Sequence, residues 1–290
     1  MILRYFLIIA ALFTTLVFAA MTDKAAYRIF NKEGKPDEYN SLLKAAQNAD
    51  VVLFGELHNN PIAHWLQLEL TQDLYQTAKN NLVLGAEMFE ADNQLLLTEY
   101  LAGQISQKSF EDEARLWKNY ATDYKPLVEF AKTNGLPFIA TNIPRRYASA
   151  VFKGGTEALD SLSPEAQRYI VPLPISIDLT LPGYQAMLEM GAHSGGNPQN
   201  MPKAQAVKDA TMAHFILKNL QKGKQFIHYN GAYHSNNYEG IVWYLKKQNP
   251  KLNILTISFA EQQNLQQLDE ESKNLADFII CTPENMTKTH

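Results

Sequence analysis

Short, nearly continuous apolar runs recur along the chain, from Asp50 to Gly55, Asn81 to Ala86, Leu136 to Thr141, Lys224 to Tyr229 and Leu252 to Ile257. A sixth, from Asp277 to Ile280, is placed to close a sheet. Runs without polar alternation predict strands buried on both faces. The segments between them have helical spacing instead. Pro61 to Thr77 opens with proline at a first helical position and carries Trp65, Leu68, Leu70 and Leu74, and Asp123 to Lys132 ends before an Asn134-Gly135 stop. Met201 to Leu220 and Asn237 to Gln248 supply later crossovers. Strand, helix and strand in alternation predict an α/β fold: a mostly parallel sheet with helices on both faces. The alternation breaks at about 148–202, where Gly154-Gly155, the prolines at 172, 174 and 182, and Gly195-Gly196 surround one helix from Pro182 to Met190. That stretch reads as a helical insertion or lid on the same body.

Composition narrows the class. The chain has 290 residues, 46% hydrophobic and 19% charged, which is enough apolar material for a large core and excludes disorder as the main state. The 26 Lys+Arg against 30 Asp+Glu give a net charge of −4 with no basic stripe, so nucleic acid is not an expected partner. The single cysteine, Cys281, can form neither an intramolecular disulfide nor a thiolate metal cage.

The amino terminus changes the compartment. Arg4 precedes an apolar run from Tyr5 to Val17, then small residues and a polar stretch, and Val17 and Ala19 suit the −3 and −1 positions of a cleavage site. Residues 1–19 are therefore expected to be a signal peptide, and residues 20–290 one exported α/β domain. The competing reading is an uncleaved anchor. No cysteine stands at the junction, so the expected product is periplasmic or envelope-associated and not a lipoprotein.

In open α/β sheets ligands bind beyond the carboxyl ends of the strands. Glu56, His58 and Asn59 follow the first run, Glu87 and Glu90 the second, Asn142, Arg145 and Arg146 the third, and Tyr233 and His234 the fourth. Two Gly-x-x-His turns, at 55–58 and 231–234, repeat one design in which glycine permits a sharp exit and a histidine follows three residues on. The two imidazoles could ligate a divalent metal with a carboxylate (His58, His234 and Glu87), or act as acid and base near neutrality. Alternatively, histidines, carboxylates and Arg145 pair with one another and pin the loops. His214 reads as an ordinary helix histidine, His228 as a buried, hydrogen-bonded ring, and Asp209 as an acidic side chain on an alanine-rich helix. Among fourteen tyrosines, Tyr184, with Met187, Leu188 and Met190 between it and His193, lies in the segment best suited to holding haem by a tyrosinate.

The ordered set Gly55-Glu56-Leu57-His58, Glu87-Met88-Phe89-Glu90 with Asn93-Gln94, Trp117 through Tyr124-Lys125-Pro126-Leu127, Gly135-Leu136-Pro137 with Asn142-Ile143-Pro144-Arg145, Gln205 to Met212-Ala213, and Gly231-Ala232-Tyr233-His234 resembles the ChaN-like haem-binding uptake family. The resemblance implies an α/β body, an envelope location and haem held by tyrosine, with Tyr184 and His193 the expected haem contacts. Expected partners are haem or another small molecule, a second copy in a homodimer, and envelope uptake components. The chain is also distantly similar to erythromycin-esterase and TIKI-type proteins. That likeness implies a hydrolase of an ester or amide, with or without a divalent metal, using Glu56, His58, Glu87 and His234.

Overall fold

The computed structural model describes residues 24–191 and 197–290. Eight strands form one sheet: β1 (Arg28–Asn31), β2 (Pro36–Asp37), β3 (Val51–Glu56), β4 (Leu82–Glu90), β5 (Phe138–Asn142), β6 (Gln225–Gly231), β7 (Ile254–Gln262) and β8 (Phe278–Pro283). Ten helices accompany them among the described residues: α1 (Tyr39–Gln47), α2 (Pro61–Ala78), α3 (Gln94–Leu101), α4 (Gln107–Glu113), α5 (Lys125–Asn134), α6 (Arg145–Gly154), α7 (Pro164–Gln167), α8 (Pro182–Gly191), α9 (Asn200–Asn219) and α10 (Ile241–Gln248). None of these helices is long and apolar enough to cross a membrane.

The strand order is β2-β1-β8-β7-β3-β6-β4-β5. Strands β3 to β8 are mutually parallel, as the apolar runs predict, while β1 pairs antiparallel with β2 and β8. The two short strands at this end of the sheet, β1 and the edge strand β2, were not expected, because four and two residues carry no readable period. The expected helices from Pro61, Pro182 and Met201 are present to within a residue at their starts, the helix expected from Asn237 begins only at Ile241, because Asn237, Tyr238 and Gly240 have positive φ, and the helix expected from Asp123 begins at Lys125 after a π turn over Tyr120–Tyr124.

Side chains alternate between the faces of the sheet, so each strand feeds two cores. Val52 and Phe54 of β3 pack with Leu66, Leu70 and Leu74 of α2 and with Leu127 and Val128 of α5. Their neighbours Val51 and Leu53 pack with Ala210, Ala213 and Ile216 of α9 and with Ile241 and Leu245 of α10. Within the 148–202 stretch, Ala148, Val151, Leu159 and Ile170 form a satellite cluster with Ala204 and Val207 of α9. Chain order reverses where β6 inserts between β3 and β4. Such a switch point opens a crevice at the carboxyl ends of the flanking strands.

Candidate active and ligand-binding site

On the α2 side of the crevice, Glu56 ends β3 with its carboxylate buried. Helix α2 starts against this strand because Asn60 caps it, accepting from the amides of Ile62 and Ala63, with Pro61 in the first turn. The cap fixes the rotation of the helix, and the polar side chains His64, Gln67 and Thr71 face inward while Trp65 stays outside. Gln67 Nε2 donates to Glu56 Oε2 at 2.5 Å, and the Tyr124 hydroxyl donates to Oε1 at 2.6 Å from the π turn. The hydrophobic pattern of α2 gave no sign of this buried polar row. His58 Nδ1 lies 2.9 Å from Glu56 Oε1, and its ring meets Trp117 edge to face. Burial alone would lower its pKa, but the bond to Glu56 and the charges of Glu87 and Glu56 outweigh it and raise the value. The side chain remains 40% exposed, so this imidazole is reachable from solvent.

On the α9 side, a buried chain runs from Tyr184 through Asp209 and His234 to Glu87. The Tyr184 hydroxyl donates to Asp209 Oδ2 at 2.7 Å, His234 Nδ1 is hydrogen-bonded to Asp209 Oδ1, and His234 Nε2 lies 3.1 Å from Glu87 Oε1. The backbone N–H of Gly231 donates to Glu87 Oε2 at 2.7 Å. Burial would lower the His234 pKa, but two flanking carboxylates raise it to about 10, so the ring is a cation at neutral pH. Burial would likewise raise Glu87, yet the His234 charge holds it far below the usual carboxylate range.

The two networks meet at Gly231. A Cβ at that position would stand 2.8 Å from His58 Cε1 and Nε2 and 3.5 Å from Glu87 Oε2. Neither Gly55 nor Gly231 has a positive φ, so the expectation that these glycines permit a sharp turn is corrected. Gly231 makes room for the His58 ring, and a Cβ on Gly55 would lie 2.8 Å from the Ile257 carbonyl oxygen. Their shared role is close approach.

Above the meeting point opens a cavity of about 750 Å³. Glu56, His58, Glu87, Glu90, Asn142 and His234 all line it, so the four rim segments converge on one mouth. Arg145 and Tyr233 also line it, but the expected pinning role of Arg145 falls instead to its neighbour Arg146, which bridges to Asp92 at 2.6 Å. Tyr184 is expected to present a tyrosinate to haem. It is 4% exposed, absent from the cavity wall, and kept protonated by burial and by Asp209. His193 lies outside the described residues. The divalent-metal expectation for His58, His234 and Glu87 is also corrected: among the described residues no group of three or more such side chains is arranged to hold a metal ion. Both nitrogens of His234 are already committed to carboxylates, so the ring keeps no lone pair for a metal. His228 lies below the site, hydrogen-bonded to Thr141 and Asn230, and burial lowers it to about 4.

No curated protein matches the sequence. Among solved structures, ChaN of Campylobacter jejuni, described with cofacial heme binding, superposes with a TM-score of 0.66 at 15% identity, covering 88% of this chain and 96% of that one. The type III effector HopBA1 (TM-score 0.45, 14% identity, 85% of this chain and 93% of that one) and a mutant of the erythromycin esterase EreC in its open conformation (0.47, 10%, 89% and 83%) are more distant. A family model described as "Haem-binding uptake, Tiki superfamily, ChaN" matches residues 42–245, a span that contains β3 to β6 and both carboxylate–histidine networks. The chain belongs to the ChaN haem-binding uptake family of the Tiki superfamily.

Proposed function

We propose that this protein binds haem in the cavity above His58 and His234 and acts in haem or iron uptake outside the cytoplasm. The family match carries the reading, and the cavity wall is compatible with it. About 750 Å³ lies within the range of roughly 300–1,000 Å³ found for small-molecule sites, and Leu57, Trp117, Ile143, Ala148 and Met187 offer apolar surface to a flat macrocycle. Haem would bring a redox-active iron, and the protein would supply a donor to hold it. Tyr233, 79% exposed and on the cavity wall, is the phenol available for that role, whereas Tyr184 holds Asp209 against His234. Titrating haem into the purified protein tests the reading. A saturable Soret shift that is altered by Tyr233→Phe and unaltered by Tyr184→Phe is expected, and no saturable shift refutes it. Export rests on the 1–19 signal pattern, and an amino-terminal sequence beginning at Ala20 in the protein recovered from the envelope fraction is the expected result.

One observation favours a second reading, a hydrolase acting on an ester or amide. His58 Nδ1 is bonded to Glu56, which leaves the Nε2 edge of an accessible ring without a hydrogen-bond partner among the described residues, the arrangement of a general base for water. Equal turnover of an ester panel by wild type and His58→Ala would eliminate it.

A further inference from the structure

The segment after β8 crosses the carboxyl ends of the neighbouring strands. It turns where the Met286 amide donates to the Pro283 carbonyl, and its contacts then pass to β7 and on to the loop after β3. Three of them hold it down. Lys288 forms an ion pair with Glu261 of β7, the same carboxylate that accepts from the Asn60 side chain at the cap of α2 at 2.9 Å. The Thr289 amide donates to the Asn59 carbonyl at 3.0 Å. The Thr289 hydroxyl donates at 2.9 Å to Asp123, a buried carboxylate of the π turn that also accepts from Asn119 at 2.7 Å. With Thr289 fixed in this way, His290 joins His58, Asn59 and Trp117 on the cavity wall. Residues 284–290 lie beyond the span 42–245, so the family match does not bring them to the site.

Hydrogen-bond counting decides which nitrogen of His290 is free. Its Nδ1 lies 3.2 Å from the Thr289 hydroxyl oxygen. That hydroxyl has a single proton and gives it to Asp123, so toward the ring it can only accept. Nδ1 therefore carries a proton, and in the neutral ring Nε2 keeps a lone pair with no partner among the described residues. A histidine whose other ring nitrogen donates to a polar group fixed behind it is the usual way a protein presents imidazole to a metal ion. His234 is the opposite case, with a carboxylate at each nitrogen.

We infer that His290, positioned by Thr289, contacts the ligand in the cavity and that its Nε2 donates to the iron of haem. The inference rests on the haem reading above. Iron in the plane of a porphyrin has an axial position on each face, and the phenol of Tyr233 leaves one of them for a second donor. Tyr233 comes from the turn after β6 and His290 from the segment after β8, so the two donors are carried by separate parts of the chain.

The test titrates the purified protein with ferric haem, followed by the Soret band, and with iron-free protoporphyrin IX, followed by its fluorescence. Electron paramagnetic resonance of the frozen ferric complex reads the spin state. Wild type is expected to show a low-spin component. His290→Ala should lose that component and about tenfold in haem affinity, hold its protoporphyrin affinity level, and regain the low-spin component when imidazole is added. Thr289→Val should weaken the low-spin component and Thr289→Ser should keep it, a pattern that packing alone does not give. His290 is exposed, so thermal unfolding of its alanine variant should match wild type. If wild type binds haem saturably and His290→Ala equals it in affinity and spin state, the donor is refuted while the haem reading stands. An equal loss of haem and protoporphyrin affinity in His290→Ala makes the side chain a piece of wall and also overturns the inference. A wild type that binds no haem removes both readings.

Discussion

Replacing Gly231 by alanine isolates the contact that joins the two networks. Its backbone, at φ −57° and ψ 140°, accepts any residue, so no conformational strain enters. The new Cβ would sit 2.8 Å from two atoms of the His58 ring, where carbon contacts settle at about 3.5–4.0 Å, so the ring must retreat by roughly 0.7 Å or more. A side chain that is 40% exposed can swing outward, but doing so breaks its 2.9 Å bond to Glu56. A hydrogen bond to a charged group contributes about 1.5–3 kcal/mol, and the stiffer unfolded chain returns about 0.4–1 kcal/mol, so a net loss of about 1–2 kcal/mol is expected. Urea unfolding measures that loss. Proton NMR of the His58 ring reads the second consequence, a pKa that falls toward the ordinary value once the Glu56 bond is gone. An alanine variant with wild-type stability and an unmoved His58 titration would refute this account of Gly231. Gly55→Ala provides the contrast, because its Cβ would meet the Ile257 carbonyl at 2.8 Å and backbone cannot swing aside; its loss should be the larger.

His234→Gln removes the cation between two buried carboxylates and should cost about 3–5 kcal/mol in urea unfolding. The same pair sets a pH profile. His234 rises from 6.5 to about 10 on folding, so its contribution is complete below pH 6.5 and disappears as pH climbs through 10. Glu87 is held below its ordinary 4.5, so its contribution is present above pH 4.5 and is lost on acidification. Stability should therefore plateau between these limits and fall on both sides, with the alkaline limb flattened in His234→Gln. At the sheet edge, Gln94 Oε1 accepts from the Ala140 amide at 2.7 Å and Gln94 Nε2 donates to the Phe138 carbonyl at 3.1 Å, standing in for a ninth strand. Gln94→Ala should lose about 1–3 kcal/mol and aggregate faster, measured by unfolding and by light scattering.

The parallel strands were legible because a strand covered on both faces must be apolar throughout, and runs this short, bounded by turn residues, fit the length of a strand and fall short of a buried helix. The rim was legible because Glu56, His58, Glu87 and His234 come directly after the apolar runs or within a few residues of them, although β3 and β4 extend past those runs to take in Glu56 and Glu87 themselves. The supports of the rim were not. His64, Gln67 and Thr71 break the apolar stripe of α2, yet they are buried because Glu56 and the Tyr229 hydroxyl need partners there. Tyr184 was visible as an unusual residue, but only the packing of α8 on α9 turns its hydroxyl to Asp209. Adjacent arginines look alike in sequence; Asp92, reached through the fold, pairs with Arg146, whereas Arg145 has no ion-pair partner among the described residues.

The two Gly-x-x-His turns are alike in sequence and both raise the pKa of their histidine, but one ring is sealed between two carboxylates and the other is open to solvent, and the sheet explains why. Glu56 follows Val52 and Phe54 on the face covered by α2, while Glu87 follows Val83 and Gly85 toward the face covered by α9. Each carboxylate therefore recruits its supports from a different helix layer: amide and phenol donors on one side, a second carboxylate on the other. With Asp209 and Glu87 both against it, His234 has no route to the neutral form near pH 7. His58 has one carboxylate bonded to it and a solvent-facing edge, so it is the imidazole that a ligand in the cavity can reach. The two layers meet at the last residue of β6, Gly231, which has no side chain, and there the charge of Glu87 in one network helps raise the pKa of the accessible ring in the other.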